Sequence, residues 1–531
     1  MSSIVKQKVG RYIYLYESFS FRNPDGKPRN KRVPIGKIDP VTGEPVYKPE
    51  YIERMAAQGT PVEISEKVPL FSMEDLLSSS VKSYGAFYLL EKIASQIGLI
   101  KALQEAVPSH WRELFTLACY LLLCGDPFLY CESWLEETEN LPVGGISSQR
   151  ISELLLSLTS TEREGFYEIW CALRSEEEYL ALDITSISSY SKLIEDIEWG
   201  YNRDGEQLPQ VNLCMLMGEV SRLPIYQVPY SGSLKDVSTF QTTLAAVDAV
   251  RGDRPLLLVM DKGFYSARNI DSLLEDENKR FIIAVPFTAA FAKKVVSEER
   301  DAIDTLENTI VSGSDSIRGV TRTHLWKEKH PLFVHAYWNV LGAMKVREDV
   351  YAHATFLREK ALLDPVKAMQ DKESTEYLSI SRTGGEDRAE TWEVSIKSDV
   401  VEKQLRHAGW MVLISNHIPD AKHALRIYRN KDVVEKGFLR LKRSLDLSRL
   451  RIHRSESMRN KMFVGFLALI FMSRIHNVMA EEGLYRKMTM KMLFMTLSKL
   501  RIQRINGKRI LFPLTKEQKN IYKAFGVAEP V

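Results

Sequence analysis

Two aspartates stand in runs that read as buried strands, and a glutamate stands in a basic helix. The segment 179–185, YLALDIT, is apolar except for Asp183, and 256–261, LLLVMD, is a second apolar run that closes on Asp261. An acid set into apolar surroundings carries a heavy desolvation cost unless a cation or hydrogen-bonding partner compensates it. Taken singly, each aspartate could be a helix N-cap or half of a buried ion pair. If the two strands pair side by side, both carboxylates converge at one sheet edge, where hard oxygen donors favour Mg²⁺ or Mn²⁺.

A third acid is expected from the segment 428–443, YRNKDVVEKGFLRLKR. At about 100° per residue, Tyr428, Lys431, Glu435 and Lys442 fall within about 60° of one another on a helix, so one narrow face carries all four. That stripe holds a carboxylate, two cations and an aromatic ring. An exposed helix with scattered salt bridges is the plainer reading, but it would not require the acid to sit among cations along a single stripe. Three carboxylates suit phosphodiester chemistry, because two metal ions roughly 3.5–4 Å apart can activate an attacking oxygen and stabilise a leaving one without a covalent enzyme intermediate. The flanking cations would hold phosphates by charge-assisted hydrogen bonds, and Tyr428 would meet a base or a phosphate.

Changes of hydrophobic period outline the elements that position these residues. The run 179–185 is followed by two more strand-like runs, Gln210–Met217 and Leu223–Pro229, spaced to form an antiparallel meander with it. A helical run over Ser238–Val250 then leads into 256–261, and a further helix into a fifth strand, FIIAVP, at 281–286. The order β-β-β-α-β-α-β therefore spans 176–286, with carboxylates near the ends of its first and fourth strands. From Phe287 to about 410 the pattern loosens into mixed segments, including Val334–Trp338 and Trp392–Ile396, and reads as a β-rich insertion. A strong strand, Trp410–Ser415, opens a second part of the core over 411–475, and a basic helical region is expected over 476–531.

Ahead of the core, residues 1–70 read as a small β-rich module with turn signals at Asn23-Pro24-Asp25-Gly26 and Thr42-Gly43-Glu44-Pro45. Its first 50 residues carry 10 Lys and Arg against 5 Asp and Glu, with tyrosines interleaved. This suits contact with DNA and equally suits a solvated edge sheet. Residues 75–175 turn helical, with Ser147 and Ser148 as N-cap candidates and a loose helix-turn-helix pattern over 147–173. Helical hairpins of that kind are common, so the pattern alone assigns nothing.

The chain has 531 residues, enough for two to four domains, and 44% hydrophobic with 27% charged residues, which excludes collagen-like and disordered classes. Its net charge of +3 conceals an asymmetry: residues 431–531 hold 22 Lys and Arg against 8 Asp and Glu, leaving 1–430 with a net charge of −11. A polyanion partner at the C-terminal end is one reading, and a solvated helical surface with acidic partners elsewhere is the other. The start of the chain is polar and basic, and the apolar runs Leu117–Cys124 and Met462–Met472 fall short of a bilayer span, so a cytoplasmic location without membrane contact is expected. Cysteines at 119, 124, 131, 171 and 214 form no C-x-x-C pair, which points to reduced, buried thiols. No phosphate-binding glycine loop, zinc-protease, nucleophile-elbow or dinucleotide motif competes. Asp204, Asp236 and Asp253 sit in loops as turn or capping residues, and His335 and His453 read as structural or DNA-side residues.

Tyr428, Lys431, Glu435 and Lys442 also fit a Y-x2-R-x3-E-x6-K signature, with Lys431 in place of the usual Arg. The chain in this respect resembles the DDE transposases of bacterial insertion sequences, in the insertion-sequence-four-like branch that carries the signature. LDIT at 182–185, DKGFYS at 261–266 and Ser415-Asn416 resemble the family's remaining motifs in the right order. The substitution at 431 keeps the charge but gives up a bidentate phosphate grip, which the neighbouring Arg429 could supply. The resemblance implies an α/β fold: a ribonuclease H-like catalytic core with a β-rich insertion, a small β-sheet and a helical region before it, and a basic helical region after it. It implies metal ligation by Asp183, Asp261 and Glu435, with two Mg²⁺ or Mn²⁺ ions per site, and DNA contacts by Tyr428, Arg429, Lys431, Lys442 and Arg443. It further implies double-stranded DNA partners, both inverted-repeat ends and target, a synaptic homodimer, and an insertion aromatic, Trp326, Trp338 or Trp392, that receives a flipped base. A non-catalytic DNA-binding derivative and a metal-dependent nuclease without strand transfer are the alternatives.

Overall fold

The computed structural model describes residues 2–10, 12–39, 43–60, 75, 79–141, 143, 146–173, 178–234, 236–251, 254–312, 315–383, 391–505 and 508–531. The chain divides into two compact units, Met1–Ser80 with Ile505–Lys508, and Val81–Arg504 with Arg509–Val531.

The first unit is an antiparallel meander of β1 (Ser2–Val9), β2 (Tyr12–Arg22), β3 (Pro28–Ile38) and β4 (Pro45–Tyr47), followed by helix α1 (Pro49–Ala57). The β2–β3 turn forms at the predicted Asn23–Gly26 signal: Gly26 takes a positive φ of 75°, and Asn23 Oδ1 accepts from Lys27 N at 2.9 Å. Leu15, Ile35 and Tyr51 form its small core. Thr42, of the second turn signal, lies outside the described residues.

The second unit opens with helices α2 (Gly85–Gln96), α3 (Leu99–Ala106), α4 (Trp111–Cys124), α5 (Cys131–Glu137), α6 (Ser148–Ser157) and α7 (Ser160–Ala172). Ser147 caps α6 as predicted, and Thr159 with Glu162 closes a capping box on α7. A nine-stranded sheet follows, built from β5 (Leu180–Ser188), β6 (Gln210–Gly218), β7 (Pro224–Ser231), β8 (Leu256–Met260), β9 (Lys279–Ala284), β10 (Thr309–Ser312), β11 (Asp315–Trp326), β12 (His330–Trp338) and, later in the chain, Trp410–Ser415. Helices α8 (Asp236–Arg251), α9 (Ala267–Leu274) and α10 (Ala290–Glu299) separate β7 from β8, β8 from β9 and β9 from β10. The spatial order is β10, β11, β12, Trp410–Ser415, β9, β8, β5, β6, β7, with β8 parallel to both its neighbours and every other pair antiparallel.

The stretch read as a β-rich insertion is built differently. Strands β10–β12 extend the main sheet instead of forming a separate body, because Phe333–Trp338 of β12 pairs with Trp410–Ser415. The remainder is largely helical: α11 (Val340–Leu363), two short helices, a hairpin of β13 (Leu378–Thr383) with β14 (Thr391–Ile396), and α12 (Ser398–Leu405). These pack on a core of their own around Ala354, Leu357, Tyr377 and Leu378. Strand Trp410–Ser415 is hereafter β15.

Helices α13 (Ala421–Asn430) and α14 (Asp432–Leu439) follow, then a π-helical turn over Arg440–Ser444 and the long helix α15 (Ser455–Glu481). The expected uninterrupted helix over 428–443 is therefore broken at Lys431 and again wound differently from Arg440. After α15 come α16 (Met490–Ser498), two short strands (Arg501–Ile505 and Lys508–Leu511) and a last helix, Lys516–Ala524, so the C-terminal region is not purely helical. Helix α15 is long and apolar enough to cross a bilayer by length and composition, although 89% of its apolar window is buried within the protein. Counting uninterrupted apolar residues stops at Ser473 and misses this, because hydropathy averaged along the helix stays high past Arg474. Cys119, Cys131 and Cys214 are buried as expected, but Cys124, at the end of α4, is exposed.

Candidate active site

Strand β5 lies inside the sheet, third from one edge, parallel to β8 and antiparallel to β6. Asp183 is its fourth residue of nine, not near its end. What ends there is the neighbour: β8 pairs with β5 as far as Leu182 opposite Met260 and goes no further. Position 183 is thus set beside position 261, at the spacing of adjacent strands, roughly 4.8 Å. Leu256–Met260 is wholly buried, which anchors the strand, and the chain leaves it at Asp261 into the short 3₁₀ turn Lys262–Phe264.

Helix α13 starts on Asp420, whose Oδ1 accepts from His423 N at 2.7 Å. Tyr428, near its C-terminus, donates its phenol to Asp261 Oδ1 at 3.0 Å. Helix α14 lies on β5 and β6 through Val433, Val434, Gly437 and Phe438, all buried. Gly437 allows this close approach, since a Cβ there would come within 2.3 Å of Met217 Sδ on β6 and force that side chain to shift. The seated helix presents Glu435 toward the sheet edge. Lys431, in the turn between α13 and α14, is 7% exposed at its side chain, and its Nζ donates to Glu435 Oε1 at 3.2 Å, whereas Glu435 is 61% exposed.

These groups share one electrostatic field. Burial pushes the Asp183 carboxyl up to about 6; Lys431 and the bond that Oδ1 accepts from Ile184 N at 2.8 Å oppose that rise, and Asp261 and Glu435 reinforce it. Burial, then the adjoining Asp261, raises the Tyr428 phenol, with Glu435 and Asp183 adding to the effect. Asp261, Tyr428, Lys431 and Glu435 line one cavity of about 390 Å³. An acid strand pair, a third carboxylate from a helix and a buried ammonium are thereby gathered at one sheet edge.

The other residues singled out in the sequence go elsewhere. Arg429 lines the same cavity but is bound to Asp315 of β11, at 3.0 Å. Lys442, in the π turn, pairs with Asp204 Oδ2 at 2.6 Å, its side chain 12% exposed. Arg443, exposed, lines a different cavity. Sequence reasoning missed Asp315 and the pairing role of Asp204; the one available signal was an acidic 204–206 loop set against a strongly basic C-terminal quarter. Asp236 opens α8, and Asp253 lies outside the described residues. His335 is a structural residue, buried and 2.9 Å from Thr321 Oγ1, with burial pushing its imidazole down to about 4, whereas His453 is exposed. Trp326 donates to Asp271 at 2.9 Å, Trp338 stacks on Trp410, and Trp392 lies near the Arg382 guanidinium.

Residues 174–471, more than half of the chain, match the Transposase DDE domain family. The protein belongs to that family. The DDE transposase segment thus contains the whole sheet and all three acids. No curated protein matches the chain. Among solved structures, the piggyBac transposase synaptic complex with hairpin DNA is similar at 12% identity and a TM-score of 0.36, over 67% of this chain and 59% of that one. The chain thus spans less than two thirds of the length of that neighbour.

The three carboxylates offer only hard oxygen donors, the kind that Mg²⁺ and Mn²⁺ take, and the burial of Asp183 leaves it in want of a cation. Donor chemistry and burial both fit such an ion. Among the described residues no three acids lie close enough together to hold one, and the ammonium of Lys431 lies beside them.

Proposed function

We propose that this DDE transposase binds the inverted-repeat ends of an insertion sequence, cleaves the phosphodiester there, and joins the freed 3′ end to target DNA. The observation that carries the reading is the convergence of Asp183, Asp261 and Glu435 at the edge where β8 stops beside β5. The strand order supports a ribonuclease H-like core: counted along the chain, the first five strands lie in space as third, second, first, fourth and fifth, with the first three antiparallel.

Asp183, Asp261 and Glu435 are the residues that would hold two Mg²⁺ or Mn²⁺ ions, which when bound activate the attacking oxygen and stabilise the leaving one. Tyr428 fixes the Asp261 carboxylate through its phenol. Lys431, already buried beside the acids, exchanges Glu435 for a DNA phosphate, and as a point charge it neutralises without the two-pronged grip of an arginine. Arg429, Lys442 and Arg443 are the further phosphate contacts, two of which must first leave Asp315 and Asp204. The N-terminal sheet and the helices α2–α7 are the regions for reading the DNA ends, and the working assembly is a homodimer across two ends.

The deciding experiment is end cleavage by Asp183→Asn, Asp261→Asn and Glu435→Gln proteins in the presence of Mg²⁺. Each is expected to lose cleavage while keeping end binding, and retained cleavage in all three would falsify the assignment.

A further inference from the structure

A second and larger cavity, about 890 Å³, shares no residue with the carboxylate site. Its walls come from α2, α4, α15 and α16 together with the π turn, and its size falls within the roughly 300–1,000 Å³ of ligand sites. Five cations line it: Arg440, Arg443, Lys491, Lys499 and Arg501. No aspartate or glutamate does, and among the described residues none of the five is ion-paired. Four of these cations, Arg443, Lys491, Lys499 and Arg501, are exposed, so their charge is open to an anion entering the hollow.

The rest of the lining is of a different nature. Trp134 and Tyr485 supply partly exposed aromatic surface, backed by the buried Phe87, Met472 and Phe494. His476 is held neutral there, pushed down to about 4 by burial and by Arg440, Arg222 and Lys436, and its Nδ1 lies 2.8 Å from the Tyr485 hydroxyl. A bare inorganic anion would answer the cations and leave the Trp134 and Tyr485 rings in water, and an apolar ligand would do the reverse. One class of molecule answers both, a phosphate joined to a flat aromatic base.

We infer that this cavity binds a nucleotide, with phosphate against Arg443, Lys491, Lys499 and Arg501 and the base against the rings of Trp134 and Tyr485. Base–aromatic contact of this kind is worth about 1–3 kcal/mol per base. The nucleotide could be free or part of a single DNA strand; five cations exceed what one phosphate needs, and favour the strand. The inference shares Arg443 with the DNA contacts of the proposed function, but it requires neither metal nor cleavage and can fail or hold without them.

The test uses the full-length protein without divalent metal. A ten-residue oligothymidylate carrying photoreactive 4-thiothymidine is titrated and crosslinked, alongside deoxythymidine triphosphate, an abasic strand of equal length and inorganic tripolyphosphate. Crosslinks are expected on peptides containing Trp134 or residues 485–501, and the abasic strand and tripolyphosphate are expected to bind at least tenfold more weakly. The exposed double variant Lys491→Glu/Arg501→Glu, with its fold checked by circular dichroism, is expected to lose these crosslinks. Its dependence of log affinity on log salt should flatten by about 1.4, at about 0.7 for each single-strand phosphate no longer neutralised by the protein. Triphosphate binding as tightly as the strand assigns a free nucleotide, and tighter strand binding assigns DNA. Equal binding of the abasic strand or tripolyphosphate, crosslinks confined elsewhere, or an unaffected double variant overturns the inference.

Discussion

Tyr428 and Asp261, 167 positions apart in the chain, are joined by a 3.0 Å hydrogen bond from the phenol to Oδ1. The bond ties the last turn of α13 to the residue that leaves β8, and so sets the distance between sheet edge and helix. Because burial and the neighbouring carboxylate raise the phenol, it remains a proton donor across the neutral range. Hydrogen bonds to charged groups contribute about 1.5–3 kcal/mol. Tyr428→Phe is therefore expected to slow end cleavage by at least about tenfold while leaving the circular dichroism spectrum unchanged. Single-turnover cleavage at saturating protein measures this, and a wild-type rate would show the bond to be idle.

Asp183 carries a stability cost with a definite pH dependence. Its carboxyl is held at about 6 in the fold, against an ordinary value of 3.8. Between those pH values the folded chain binds more protons than the unfolded one, so this residue's contribution falls as pH rises through about 6. The displacement corresponds to about 3 kcal/mol once the group is ionised. Asp183→Asn should accordingly raise the melting temperature of metal-free protein at pH 7.5 and change it little at pH 4. Scanning fluorimetry at both pH values checks the sign; a variant less stable at pH 7.5 contradicts it.

Asp204 holds Lys442 in an ion pair, and under the proposed function it competes with DNA for that ammonium. Removing its charge by Asp204→Asn releases an otherwise shielded ammonium, and because Asp204 is 44% exposed the broken pair should cost less than about 1 kcal/mol of stability. Affinity for duplex ends is expected to rise several-fold, and the slope of log affinity against log salt to steepen by about 0.9, the value of one further neutralised phosphate. Fluorescence anisotropy over a salt series reads both quantities. An unchanged slope places Lys442 outside the DNA interface.

The seating of α14 depends on the missing side chain at 437. Gly437→Val drives a branched carbon toward Met217 and should cost about 1–3 kcal/mol, despite the better helix propensity of valine over glycine. Glu435, two residues earlier, would shift with the helix, so cleavage should fall more than end binding. Urea unfolding, with paired cleavage and binding assays, separates the two effects.

Much of this arrangement is legible in the sequence. The runs around Asp183 and Asp261 are apolar because both strands are buried in the middle of a sheet, so their type and order follow directly from composition. What cannot be read is where a parallel neighbour stops, and this is why Asp183 is mid-strand yet still at an edge. The stripe over 428–443 is legible only as far as Glu435. A constant advance per residue carries Lys442 onto the same face, but the turn at Lys431 and the wider winding of the π segment both break that advance. Strands β10–β12 look like an insertion because local pattern cannot reveal that their partner, β15, lies some 70 residues further on.

Helix α15 has a consequence for synthesis. Phe471 packs edge-on against Phe115, Phe463 does the same against Phe166, Gln227 donates to the Met462 carbonyl, and Asn460 donates to the carbonyls of Leu155 and Leu158. Helices α4, α6 and α7 and strand β7 therefore all await a partner translated some 230 to 350 residues after them. A nascent chain holds this apolar surface uncovered until residue 481 has left the ribosome. A product terminated ahead of α15 would be chaperone-bound or aggregated, never a soluble competitor of the full-length protein for DNA ends.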